Sequence, residues 1–492
     1  MPGKAKQVGL FGLIAIVVGS MVGGGVFNLP SNMADGAAIG PVLIAWVITG
    51  FGMYFLANTF KLLSDKKPEL SSGIYSYASE GFGKYVGFNS AWGYWLSAAL
   101  GNVSFAIMLM EALAYFFPVF MGGNNWQSIL GGSIVIWGMN LLVMRGVSTA
   151  ALLNTIATIA KLIPLLLFMI ILLYAFHWDK LSFDIWGQQN ASLGGITDQL
   201  RSTMLITLWS FVGIEGAVVI SGRAKNKKDI GKATLIGFIG AILIYASISI
   251  FSFGIMNQAD LANLPDPSVA YVMQAIVGDW GAIFINIGII ISILGVWIAW
   301  TIITAEVPYR AAEEGVMPSV FKRINKKQSP VISLIASSIL MQLALFSVIV
   351  EKNAFLTIIS MAGTMILIPY ALSALYLWKL SSGKNGSASD NKGKLYALIS
   401  GIVASIYAFW LIYAAGLKYI LMATILYSLG IFVYYWSHKE KNTSEKLFKP
   451  YEKVLAICLV IGAITALLMM SNGLIKIEEI IRWAIRYIRY TV

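Results

Sequence analysis

Apolar runs of about 20 residues follow one another along the chain, divided by short polar segments that hold most of its charge. They begin near Val8, Ile39, Val86, Trp126, Ala150, Ile196, Ala233, Gly278, Val331, Phe355, Leu395 and Lys418. A shorter run covers Val454 to Met470. A hydrocarbon core about 30 Å thick is crossed by about 20 apolar residues of helix, so the pattern predicts an all-α polytopic membrane protein. Twelve transmembrane helices are expected, and the shorter run supplies a thirteenth. Composition agrees: of 492 residues, 58% are hydrophobic and 12% charged, and mean hydropathy is +0.77. Soluble domains carry about 25% charged residues. This chain could not solvate the surface of a water-soluble enzyme or nucleic-acid binder.

The formal charge of +12 is explained by topology. Lys4 and Lys6 precede span 1, and Lys61, Lys66, Lys67 and Lys84 lie between spans 2 and 3. Arg223, Lys225, Lys227, Lys228 and Lys232 follow span 6, with further clusters after spans 8, 10 and 12. The opposite loops offer Lys180, Arg201, Lys352 and Lys418. Loops rich in Lys and Arg stay cytoplasmic, which puts the N-terminus inside a cell (cytoplasmic) membrane. Met1 to Gln7 lacks the features of a cleavable signal. Near the other end, Ile477, Ile480, Ile481, Ala484, Ile485 and Ile488 form one stripe, which suits an amphipathic helix resting on the membrane.

These marks divide the chain. Residues 1–381 read as a ten-helix core, in two five-span blocks of about 8–176 and 196–381. Residues 382–394 read as a cytoplasmic linker, 395–437 as helices 11 and 12, and 438–492 as a cytoplasmic segment, helix 13 and the amphipathic helix. One cysteine, Cys458, and two distant histidines, His177 and His438, match no zinc spacing. No metal and no cofactor are expected, nor an ATP-binding loop of the Walker type.

Two spans carry signs of interruption. Span 1 contains Gly19-Ser20-Met21-Val22-Gly23-Gly24-Gly25-Val26-Phe27. Each glycine costs about 1 kcal/mol of helix propensity relative to alanine, and unwound backbone is tolerated in a membrane only beside a cavity or ligand. The freed amides at Gly23, Gly24 and Gly25 would receive a carboxylate. Span 6 contains Trp209-Ser210-Phe211-Val212-Gly213-Ile214-Glu215-Gly216, where unpaired carbonyls would hold an ammonium. Glu215 is costly in lipid unless it faces water or a partner. Interruptions at the same position of two halves point to a secondary transporter built from inverted repeats.

Other intramembrane charges are few. Lys161 on span 5 reads either as half of a buried ion pair or as a cation coupled to substrate occupancy. Glu111 on span 3 divides evenly between such roles, and Glu306 reads as a salt-bridge partner at the inner end of span 8. Tyr94 and Asn102 are eight apart on span 3 and share a face. Trp209 and Trp300 lie at central depth, away from the interfacial belts where most membrane tryptophans sit, and are candidates for stacking on a flat or cationic group.

With these residues the chain resembles the amino acid–polyamine–organocation (APC) superfamily, in its basic amino acid/polyamine antiporter branch. The resemblance runs from about Lys6 to Ser437. It rests on the glycine motif of span 1, Gly101-Asn102, the Trp209 to Glu215 segment, and Trp300 followed by Ala311-Ala312-Glu313-Glu314-Gly315-Val316-Met317-Pro318. It implies a five-plus-five, LeuT-like inverted-repeat core. The substrate carboxylate would sit at Gly23 to Gly25, and its amino group at carbonyls near Met21 and Trp209, Ser210 and Phe211. In similar arginine/agmatine antiporters the matches to Asn102 and Trp300 meet the side chain, that to Trp209 gates, and that to Glu215 links binding to conformation. Two positions depart from the pattern. A serine usual in span 1 is Gly24 here, and Lys161 resembles a lysine that occupies the sodium site of sodium-coupled relatives.

The expected function is therefore exchange of an amino acid for its metabolic product, of the arginine/ornithine or histidine/histamine type, by alternating access. The alternative is a proton-coupled amino acid importer that uses Lys161 as its titrating group. Expected partners are amino acid and amine substrates and membrane lipid, with no nucleic acid. Helices 11 and 12 lie outside the core and could form a homodimer surface. An enzyme is not expected, because no nucleophile, base and metal ligands cluster.

Overall fold

The computed structural model describes residues 9–70, 74–219, 225–226, 228–350, 354–383, 391–441 and 446–472. The amphipathic stripe, the extreme N-terminus and most of the expected linker lie outside these. Among the described residues every regular element is helical, apart from one isolated bridge between Ile324 and Pro330.

The chain opens with α1 (Leu10–Met21), a 3-10 turn (Gly24–Asn28) and α2 (Leu29–Gly36). Then come α3 (Ile39–Lys66), α4 (Ile74–Phe82), α5 (Lys84–Ala114), α6 (Trp126–Met144) and α7 (Val147–Tyr174). A short α8 (Trp178–Ser182) leads to α9 (Ile196–Ser210) and α10 (Gly216–Val219). Next are α11 (Lys228–Ser252), α12 (Gln258–Ala262), α13 (Ser268–Val277) and α14 (Asp279–Glu313). The chain continues through α15 (Val331–Ser347), α16 (Ala354–Ser382), α17 (Asn391–Glu440) and α18 (Pro450–Ser471).

Among the described residues, eight of these helices are long and apolar enough to cross a membrane. The pair α1 and α2, bent by 46° at its break, makes a ninth. Fewer uninterrupted spans than the apolar runs suggest has a physical cause. The run from Ile196 stops as helix at Ser210, α15 is only 17 residues long, and two runs merge in the 50-residue α17, which departs from helical geometry at Gly416. This is a multi-pass membrane protein.

Helix α5 is enclosed along almost its whole length, which explains buried polar residues such as Ser97, Asn102 and Ser104 on an otherwise apolar helix. Side-chain hydrogen bonds tie neighbouring helices, as polar groups must be paired where no water reaches. Trp46 Nε1 donates to Ser249 Oγ at 2.6 Å, Thr49 to Thr207 at 2.8 Å and Asn140 to Ser338 at 2.6 Å. By contrast α18 packs on α17 and leaves most of its apolar face outward.

Candidate functional site

Helix α1 ends because Gly23 takes φ −109°, ψ −146°, outside helical geometry. An α-helix leaves its last carbonyls without partners, and here they are capped one by one. Val22 N–H donates to the Val18 carbonyl at 2.8 Å and Gly23 N–H to that of Met21 at 2.7 Å. Lys161 Nζ, from α7, donates to the Gly19 carbonyl at 2.6 Å. Trp300 Nε1, from α14, donates to the Ser20 carbonyl at 3.2 Å. Beyond the break the 3-10 turn from Gly24 begins with amides that have no acceptor inside it.

The second break follows α9. Phe211 to Glu215 is irregular, and Gly213 adopts φ +108°. Its carbonyl accepts a hydrogen bond from Ser20 Oγ at 2.8 Å, so the two breaks touch directly. Glu215 turns back into the bundle and is fully buried. Tyr94 donates to its Oε1 at 2.7 Å, Tyr370 to its Oε2 at 2.6 Å, and Gly213 N–H to Oε2 at 3.1 Å. Three donors from α5, α16 and the break itself satisfy a carboxyl group that lipid could not.

Between the breaks lies a cavity lined by Ser20, Met21, Gly23, Gly24, Gly25, Ser97, Gly101, Phe105, Trp209, Ser210 and Trp300. Its volume is about 20 Å³, room for about one water. The conformation is closed around its centre. Trp209 is wedged across it: a Cβ on Gly101 would lie 2.8 Å from the indole ring, and one on Gly25 3.3 Å away. Where a side chain on Gly24 would point, the Met108 thioether stands instead.

An amino acid permease family model matches residues 8–436. The chain is 46% identical to the arginine/agmatine antiporter of Chlamydia pneumoniae, across 96% of this chain and 99% of that protein. The corresponding antiporter of Chlamydia caviae is 45% identical, across 96% and 99%, and that of Chlamydia trachomatis serovar L2 is 44% identical, across 96% and 98%. The chain belongs to the amino acid permease family.

The permease brings together Met21, Gly23, Gly24, Gly25, Trp209 and Ser210 from the two motifs, with Trp300 from α14. Three other expected substrate residues do not line the cavity. Tyr94 is engaged with Glu215. Phe211 is buried against Trp46, Phe238 and Tyr245. Asn102 donates to the Ala98 carbonyl at 2.7 Å and to Thr304 Oγ1 at 2.9 Å, and Thr304 in turn bonds the Trp300 carbonyl at 2.6 Å. Asn102 thus ties α5 to the turn that carries Trp300. Glu111 opens into a separate cavity. The ion-pair reading of Lys161 is not met: among the described residues its partner is a carbonyl, and no carboxylate pairs with it. Glu306 does pair, with Arg310 at 2.9 Å.

Tyr370, Thr304, Phe105 and Met108 also contact the two breaks or the residues around them, and no motif marks them. Tyr370 had a visible signal, a phenol midway along an apolar run. The others look like ordinary packing residues until the helices are placed.

Proposed function

We propose that this permease exchanges an amino acid for the amine or amino acid derived from it, with arginine and agmatine as the leading pair. The observation that carries this reading is the contact of two broken helices around one cavity. Half-helix ends carry opposite partial charges, and such paired breaks mark secondary transporters. The relatives bear the arginine/agmatine name, whereas the motifs resemble ornithine and histamine exchangers as well, so these are arms of the same test.

In this reading the amides from Gly23 to Gly25 hold the substrate carboxylate, and carbonyls near Met21 and Ser210 hold its ammonium. Trp300 packs on the side chain, and Trp209 closes over it. The Tyr94–Glu215–Tyr370 cluster latches the cytoplasmic side. The finer architecture belongs to the same proposal: twelve spans and a thirteenth, repeats of about 8–176 and 196–381, an N-terminus in the cytoplasm, and a homodimer formed through the last core-flanking helices. Proteoliposomes loaded with agmatine should take up labelled arginine, and empty ones should not. Equal uptake by empty liposomes would overturn exchange, and uptake that follows an imposed pH gradient would favour proton-coupled import through Lys161. Parallel loading with ornithine and histamine identifies the product.

A further inference from the structure

A second cavity, about 190 Å³ in volume, lies farther along α5. Ser31, Asn32, Asp35, Glu111 and Asp266 line it, and among the described residues no lysine or arginine does. The three carboxyl groups are graded in depth. Asp35 is exposed, Asp266 half-buried and Glu111 only 9% exposed. Among the described residues, Glu111 Oε2 is buried without a hydrogen-bond partner. An unmade bond at a buried polar atom costs about 1–3 kcal/mol, and the cavity is the open side from which a partner would come.

Ser31 Oγ donates to Asp266 Oδ1 at 3.3 Å. Burial pushes the Asp266 carboxyl up to about 7; the Ser31 bond opposes this and the Asp35 carboxylate adds to it. Among the described residues that line the cavity, no cation offsets these carboxyl groups. Among the described residues no three acidic, histidine or cysteine side chains are grouped to hold a metal ion. Carboxylates spread around a roomy cavity suit a larger, polyatomic cation, as guanidinium suits bidentate carboxylate contacts. Glu111 stands six residues beyond Phe105, about 9 Å along α5, and Phe105 lines the central cavity.

We propose that this cavity is a receiving site for the cationic end of a guanidinium or amine substrate, held by Glu111 and Asp266 with Asp35 at its mouth. The substrate class rests on the exchanger reading; the cation site itself does not. The test is equilibrium binding of labelled agmatine to the full chain in nanodiscs at low and high salt. Two classes of site are expected, a tight one and a weak one whose affinity falls about ten-fold as salt screens it. Glu111→Gln combined with Asp266→Asn should remove the weak class alone, and Trp300→Ala should impair the tight class alone.

Citrulline, with a neutral ureido group in place of guanidinium, should not fill the weak class. Survival of that class in the double variant, or its occupation by citrulline, would overturn the proposal. If the double variant unfolds, Glu111→Asp should keep the weak class and Asp35→Asn should weaken it; failure of both overturns it equally. Loss of the tight class from the unaltered protein, with the weak one intact, would instead count against the exchanger reading.

Discussion

Gly213 occupies the point where the two interruptions meet. Its φ of +108° disfavours any residue with a Cβ by about 1–2 kcal/mol, and that Cβ would lie 2.8 Å from the backbone of Ser20. Neither neighbour is a flexible side-chain end. Gly213→Ala should therefore lower thermal stability by at least about 2 kcal/mol and reduce exchange more than ten-fold, read by melting in detergent and by counterflow. Glu215 poses a different question, because two of its three donors come from separate helices and the third from its own break. Hydrogen bonds to charged groups contribute about 1.5–3 kcal/mol. Tyr94→Phe and Tyr370→Phe should each slow or unbalance turnover, and Glu215→Gln should make a later Tyr370→Phe change nearly silent. Additive losses across that double-mutant cycle would show that the phenol and the carboxyl act separately. Glu215 stands out in the sequence because one acid interrupts an apolar run. Its partners do not, because Tyr94 and Tyr370 lie 121 and 155 residues away in the chain.

Each broken helix is completed by others. The carbonyls freed at the end of α1 are capped from α7 and α14, and the irregular segment after α9 is held by α5 and α16. The breaks themselves were legible, since three consecutive glycines and a Gly-Ile-Glu-Gly step cannot be cheap helix in lipid. What Asn102 meets is something spacing cannot reveal. A face shared with Tyr94 on α5 does not say which neighbour that face meets, and here it meets Thr304. The Trp209 indole likewise depends on an element other than its own, because Gly101 on α5 leaves the space it fills. Gly101→Val should expel the ring from the closed cavity and raise the apparent KM for arginine about ten-fold or more, while Trp209→Ala on the same background should recover part of the loss. An unchanged KM in Gly101→Val would mean that Trp209 does not close over substrate.

A central cavity with room for about one water cannot hold an amino acid, so the whole molecule must open to load and to release. The charge beside the first break bears on which ion could accompany that opening. The Lys161 ammonium stands 2.6 Å from the Gly19 carbonyl, and the carbonyls at the end of a half-helix are where a coupling cation would otherwise bind. An ammonium there would repel a second cation at close range. Exchange by the wild-type protein should therefore be unchanged when choline replaces sodium on both sides of the liposome. Lys161→Met leaves the carbonyl without its donor, at a cost of about 1–3 kcal/mol, and should melt at lower temperature with slower exchange. Lys161→Arg should preserve the charge and lose less stability, although its planar head is a poor fit for a site shaped to one ammonium. Stimulation of the wild type by sodium would place a cation where the lysine already stands, and would count against Lys161 as the group that takes the place of a coupling cation.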